Sequence, residues 1–500
     1  MSKIRVTYAG GMSFIVGLVS ILTGLIFTLI ITRRLTQEEF GTWGLIGGLT
    51  AYVFILEPLI SYWVIREIAR GEESGKTAIL SSGLISVVAV FAYVIIVYFY
   101  GTQGGVDPYI LFFAALLIPV GFIQHTITAI NWGYKPHTGA YGLLIFELTK
   151  IPVALILVYF LDMGLQAAIL TVIIASLANI VFQLIDDYDK IRGKFNKKYL
   201  KKWFRLFWLP TYPQISKIVL NSDVVIFTVI VGAVADLAYW SASMTISGVV
   251  LHASKISKAI YPKLLGGGKK EYFEENFTRV FYFVFPLAAM SLAFAKPALF
   301  TLNPLYEVAN PVVIFLTFVI FLRTMDNVFT QALSGIEKVD IDEKATFKDY
   351  LHSKLFSLPT LTIIQRGVYL GSVIVLFLLL VPQTNSKIDL VVFWSIIAFL
   401  TQIPYTIYLY VLVRKNFMPK IDFKAISKYL ATSIFVFGIT FILMEQFLNY
   451  KISIFEFLPE FLQFVAIGVG GYLAITYAID SKTRKFFKSV INEIVNKSES

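Results

Sequence analysis

AILSSGLISVVAVFAYVIIVYF, residues 78–99, carries no charged side chain over a stretch long enough to cross a bilayer as a helix, which takes about 20 apolar residues at 1.5 Å each. The segment before it, WVIREIARGEESGKT at 63–77, holds Arg66, Arg70 and Lys76. The segment after it, YGTQGGV at 100–106, holds no charge. A span with its basic flank on one side is oriented by that flank, which stays in the cytoplasm. Reading outward in both directions, the sequence predicts fourteen spans in all, near 8–32, 42–62, 78–99, 107–130, 139–161, 164–185, 206–231, 235–262, 277–302, 306–333, 355–381, 389–413, 426–449 and 456–479. The even-numbered connections and the two tails hold most of the 43 Lys and Arg, and the odd-numbered connections only a few, such as Arg33, Arg34, Lys387 and Lys451. That alternation predicts both termini in the cytoplasm, and losing or merging one span would spoil it.

Composition agrees: 57% of residues are hydrophobic and 15% charged, whereas about a quarter are charged in a soluble domain. The net charge of +11 does not point to nucleic acid, because no soluble basic domain exists to bind it. The basic residues lie in short loops beside spans, where anionic lipid headgroups attract them. Zero cysteines exclude disulfides and thiolate chemistry, and the four scattered histidines have no metal-binding spacing. The first span lacks a cleavage pattern and reads as a retained helix. No connection is long enough for an extramembrane catalytic domain.

The most basic connection, DDYDKIRGKFNKKYLKKWFR at 186–205, reads as an amphipathic linker on the cytoplasmic bilayer surface. It separates a first lobe, 1–185, from a second, 206–413. Helices 13 and 14 follow at 414–479 as a peripheral pair, and 480–500 is a cytoplasmic tail. A weak repeat supports the division. Glu39-Phe40-Gly41-Thr42-Trp43 after the first span has a counterpart in Asp236-Leu237-Ala238-Tyr239-Trp240 after the seventh, 197 residues on. An offset of six helices preserves orientation, so the fold class is all-α and polytopic, with two pseudo-symmetric six-helix bundles as parallel repeats and a substrate site between them.

The segment TRRLTQEEFGTWGLI at 32–46, through Arg34, Leu35, Glu39, Phe40, Gly41 and Trp43, resembles the first-helix exit of Wzx-type flippases. These move polysaccharide or lipid-linked oligosaccharide and belong to the multidrug/oligosaccharidyl-lipid/polysaccharide (MOP) exporter superfamily. Shorter echoes are Ala238-Tyr239-Trp240-Ser241-Ala242, Tyr261-Pro262 and Leu305-Tyr306-Glu307-Val308-Ala309. The resemblance implies a MATE-like two-lobed bundle that moves a polyprenyl-linked glycan to the outer leaflet by alternating access, beside glycan-assembly proteins. The loop at 335–354 is longer than that pattern has.

Among the ionisable residues inside predicted spans, seven are candidates for a buried role: Glu57, Glu147, Lys150, Lys217, Asp223, Arg323 and Asp326. Facing lipid, the set would cost roughly 20 kcal/mol, so each must face protein or water. Glu147 with Lys150, and Arg323 with Asp326, share a helix face three residues apart, as structural ion pairs or as cavity groups. Lys217 and Asp223, six apart, cannot pair within their helix and are the leading cavity residues. Pro210 and Pro213 remove hydrogen bonds from that helix, as a hinge or a static kink. Lys255 and Lys258 either hold a diphosphate or snorkel to the interface. Glu57, before Pro58, is a proton or sodium site or a capping group, and Glu147 is the second ion-coupling candidate. No cofactor beyond H+ or Na+ is expected.

Among rival functions, a membrane glycosyltransferase or glycan polymerase would need large charged outer loops, which this chain lacks. An ATP-driven pump is excluded because LLGGGKKEYF at 264–273 lacks the phosphate-loop order. A cation-coupled exporter of the multidrug branch shares the expected fold and stays open. A passive scaffold needs no buried charges.

Overall fold

The computed structural model describes residues 6–101, 106–186, 188–205, 207–259, 270–337, 339, 347–383, 386–417 and 419–485, and no strand occurs among them. The α-helices in chain order are α1 (Val6–Arg34), α2 (Gln37–Val53), α3 (Pro58–Ala69), α4 (Gly75–Gly101), α5 (Pro108–Ala114), α6 (Leu117–Tyr134), α7 (Pro136–Ala154), α8 (Gly164–Asp186), α9 (Tyr188–Ile191), α10 (Lys197–Arg205), α11 (Trp208–Val231) and α12 (Leu237–Ser247). They continue as α13 (Lys270–Ala293), α14 (Ala295–Leu302), α15 (Asn310–Gly335), α16 (Phe347–His352), α17 (Lys354–Leu380), α18 (Lys387–Phe417), α19 (Phe423–Phe447) and α20 (Ile454–Ile479). Twelve helical stretches among the described residues are long and apolar enough to cross a membrane, or thirteen if the bent pair α13–α14 is one span. The fourteenth expected span, at 8–32, falls on α1, a 29-residue helix whose side chains are described only in part. The chain is a multi-pass membrane protein.

Several spans are less regular than their apolar windows suggest, three of them markedly. The helix expected at 42–62 is two helices, α2 and α3, separated by a 3-10 turn at Phe54–Leu56, with Pro58 opening α3, where its missing N–H costs nothing. The helix expected at 235–262 is α-helical over α12 and tightens to 3-10 geometry at Gly248–Ala259. The helix expected at 277–302 bends by 67° between α13 and α14. Pro297 explains this last bend, since it cannot donate to the carbonyl of Ala293, the last residue before the break.

Two compact units divide the chain: Met1–Ser241 with Thr362–Val391, and Ala242–Leu361 with Val392–Ser500. In the first, the motif at 32–46 does structural work. Thr36 caps α2 by accepting from the Glu39 amide while Glu39 Oε2 accepts from the Thr36 amide at 2.9 Å, a reciprocal capping box. Glu39 Oε1 also accepts from the Leu165 amide at 3.1 Å, tying the start of α2 to that of α8. Gly41 is obligatory, because a Cβ there would lie 2.0 Å from the carbonyl oxygen of Val234. At Gly44 a Cβ would lie 2.5 Å from Ser241 Oγ. The motif after the first span therefore packs against its own counterpart after the seventh. Residues 44 and 241 are 197 apart, the offset of the expected repeat. In the second unit, α19 and α20 pack on α13 and α14 through Phe294, Phe300, Phe437, Phe457 and Phe461, and Gly468 leaves room for the Phe437 ring.

Candidate functional site

The break between α2 and α3 places Glu57 in the interior of the first unit. Phe54, in the 3-10 turn, stacks on Phe122 at 5.2 Å and lies 5.6 Å from the His125 ring, both on α6. Gly121 permits that approach, since a Cβ there would meet the Phe54 ring at 2.5 Å. The turn so fixed sets Glu57 Oε2 3.8 Å from His125 Nδ1. Glu57 is 8% exposed and its Oε1 has no hydrogen-bond partner among the described residues, while the His125 side chain is 57% exposed. The expected capping role for Glu57 is not seen: its side chain makes no cap hydrogen bond to α3. The carboxylate is thus buried with one oxygen unsatisfied among the described residues, beside an imidazole open to solvent.

Helix α11 supplies the other half of the site. Asp223 is buried and accepts from the Tyr369 hydroxyl of α17 at 2.5 Å. One residue before it, Ser222 accepts from the Tyr52 hydroxyl of α2 at 2.9 Å, and one turn later Thr228 accepts from Tyr100 of α4. Lys217 is exposed within the apolar stretch Trp208–Val231, where a cation facing lipid would be costly. It lies within the electrostatic reach of Arg366 and Glu57. Arg366 is held by donation from Nη1 to the Ser216 carbonyl at 2.8 Å. The site so defined is cationic, with Lys217 and Arg366 on neighbouring helices and the Glu57–His125 pair alongside. In such a pair a lysine offers phosphate a point charge and an arginine a planar fork of donors.

The remaining candidates are placed as follows. Glu147 and Lys150 form a buried ion pair at 2.5 Å, and Glu147 also accepts from Ser20 at 2.7 Å and Thr23 at 2.6 Å, so both its oxygens are occupied by α1 and α7. Asp326, in the second unit, is buried and accepts from Gln402 of α18 at 2.6 Å, and Arg323 is half-buried on the same helix. Pro210 sits in the first turn of α11, where an amide would be unpaired anyway, and Pro213 lies inside the helix, which runs on unbroken to Val231. Lys255 and Lys258 lie in the 3-10 segment, and their side chains fall outside the described residues. In the loop at 335–354, residues 340–346 also lie outside them.

The linker is a built element rather than a loose surface helix. Glu67 of α3, buried, accepts from Trp203 Nε1 at 3.2 Å and pairs with Lys202 Nζ at 3.0 Å. Tyr199 donates to Glu72 Oε2 at 2.6 Å, and the Asn196 amide donates to Thr77 Oγ1 at 2.9 Å. The Glu72 carboxylate, by accepting a hydrogen bond from the neutral phenol, pushes Tyr199 up to about 12. Three functional positions escape the sequence reading: His125, Arg366 and Glu67. Arg366 carried the same signal as Lys217, a cation inside a predicted span. His125 and Glu67 acquire meaning only through partners more than 60 residues away.

The helix arrangement is similar to that of solved transporters, two of them described as of the MOP superfamily. The chain is similar to the lipid II flippase MurJ in an inward closed conformation, with TM-score 0.63 and 14% identity, over 97% of this chain and 99% of that one. It is similar to a multidrug resistance MATE family transporter in an inward-facing conformation, with TM-score 0.58 and 13% identity, over 80% and 98%. It is also similar to a MOP superfamily transporter from Pyrococcus furiosus described by the reverse polarity of its binding pocket, with TM-score 0.52 and 13% identity, over 82% and 96%. No protein-family model and no curated protein sequence matches the chain.

Proposed function

We propose that this protein is a flippase for a lipid-linked oligosaccharide, working by alternating access in the cytoplasmic membrane with both termini in the cytoplasm. On this reading, lobes 1–185 and 206–413 carry the transport cycle, the linker 186–205 joins them, and 414–479 supports the second. The observation that carries the reading is the pair of cations within apolar spans, Lys217 exposed and Arg366 half-buried on the neighbouring helix, in a transporter fold. A phosphate-bearing lipid needs cations on its path. A cationic drug would need exposed carboxylates, and here Asp223 and Asp326 are buried and hydrogen-bonded. The fold match that extends over 97% of the chain, and so takes in α19 and α20, is to a protein named as a lipid II flippase. Coupling, where the cycle uses it, falls to Glu57 with His125, since both oxygens of Glu147 are engaged.

The deciding experiment measures the size and sidedness of the lipid-linked oligosaccharide pool in cells lacking the protein and in cells given it back. Cytoplasmic-leaflet accumulation, reversed by complementation, is the expected result. An unchanged pool with altered tolerance to cationic drugs overturns the reading in favour of the multidrug branch.

A further inference from the structure

Helix α10 joins charge, aromatic edge and docking contacts in an order that serves one partner. At 100° per residue, Lys197, Lys201, Arg205, Lys198 and Lys202 occupy an arc of about 140°. Tyr199 and Trp203 follow on the next edge, and Leu200 with Phe204 close the circle beside Lys197. The Tyr199–Trp203 edge is committed to protein, Trp203 being fully buried against Glu67 and Tyr199 bonded to Glu72. Lys202 is committed with it. That leaves Lys197, Lys198, Lys201 and Arg205, all exposed, on the open arc, with Phe204 50% exposed at its margin and Phe195 and Phe207 exposed just before and after the helix.

We infer that this docked face is a binding site for the headgroups of anionic phospholipids. Glu67 holds the helix at a fixed rotation, so the four cations meet phosphate oxygens at headgroup level while Phe204 and Phe207 enter the boundary of the acyl region. The position suits the ligand, because α10 lies between the end of one span, α8, and the start of the next, α11. Charge complementarity selects an anionic over a zwitterionic leaflet, each cation near such a surface being worth roughly fivefold in partitioning. Four together reach several hundred-fold if all engage, on the same scale. The inference requires only that the chain sits in a membrane and is independent of what it transports.

The chain has no cysteine, so Phe204→Cys gives the full-length protein a single labelling site. With a fluorophore there, the protein is placed in nanodiscs of phosphatidylcholine and phosphatidylglycerol in which one lipid or the other is brominated. Brominated phosphatidylglycerol is expected to quench severalfold more than its lipid fraction accounts for, and the excess should fall with added salt. Neutralising the open arc (K197Q, K198Q, K201Q and R205Q together) should abolish the excess. Glu67→Ala, which keeps every cation, should reduce it severalfold, because the site depends on the docked rotation. Equal quenching by both lipids, or an excess that survives the fourfold variant, overturns the inference. An excess unchanged in Glu67→Ala reduces the site to an unstructured basic string and overturns it too. Quenching by neither lipid means the face looks into water, as an acidic protein or nucleic acid partner would require, and also overturns it. Flipping is not read in any arm, so the transport proposal stands or falls separately.

Discussion

Tyr472 donates its hydroxyl to the main-chain oxygen of Tyr282 at 2.7 Å, an acceptor left over because the residue four places on, Pro286, has no N–H. Removing the donor leaves a buried carbonyl unpaired, so Tyr472→Phe is expected to cost about 1–3 kcal/mol, read from thermal unfolding in detergent. Pro286→Ala restores the helical donor, and the two substitutions together should cost less than their sum. The glycines of the motif can be ranked in the same way. Gly41→Ala drives a methyl into the main chain at Val234 and should destabilise by about 1–3 kcal/mol. Gly44→Ala meets only the Ser241 hydroxyl, so Ser241→Ala should relieve most of its cost, with both compared by unfolding midpoint. Lys217→Ala should lower flipping at least about tenfold, the scale of one lost charged contact, without reducing the amount of inserted protein. Lys217 and Asp223 were legible as charges inside an apolar window. Their surroundings were not: Tyr369 and Arg366 come from a helix about 150 residues later, and nothing local marks that pairing.

At the level of elements, span positions followed from hydropathy, because the bilayer imposes a length of apolar residues that no soluble fold does. Breaks within spans followed less well. A hydropathy window averages over the turn at Phe54–Leu56 and the bend before Phe294, both apolar throughout; the readable signals were single prolines, Pro58 and Pro297. The linker was legible as amphipathic and basic. Its docking was not, since Glu67 and Glu72 are ordinary surface residues by sequence and become anchors only through Trp203, Lys202 and Tyr199. The Tyr199–Glu72 bond requires the neutral phenol. Because that phenol is raised in the folded protein, the bond's contribution is complete below tyrosine's ordinary value of 10.0 and is lost as pH climbs through about 12. A tyrosinate absorbance titration should therefore show one fewer late-ionising tyrosine in Glu72→Gln than in the wild type.

For the whole molecule, a five-residue repeat with a 197-residue offset was a slender clue, and one contact in the structure falls on that offset. Gly44 and Ser241, equivalent positions, touch one another. The same observation bears on how such a chain can change over time. In a symmetric pair of identical subunits, a residue on the two-fold axis meets its own copy, so one substitution alters both sides of the contact at once and only a self-compatible residue survives. Joining the halves in one chain removes that constraint. Here one position is glycine and the other serine, and the space left by the first is filled by the hydroxyl of the second. A single chain can therefore change one side of such a contact at a time.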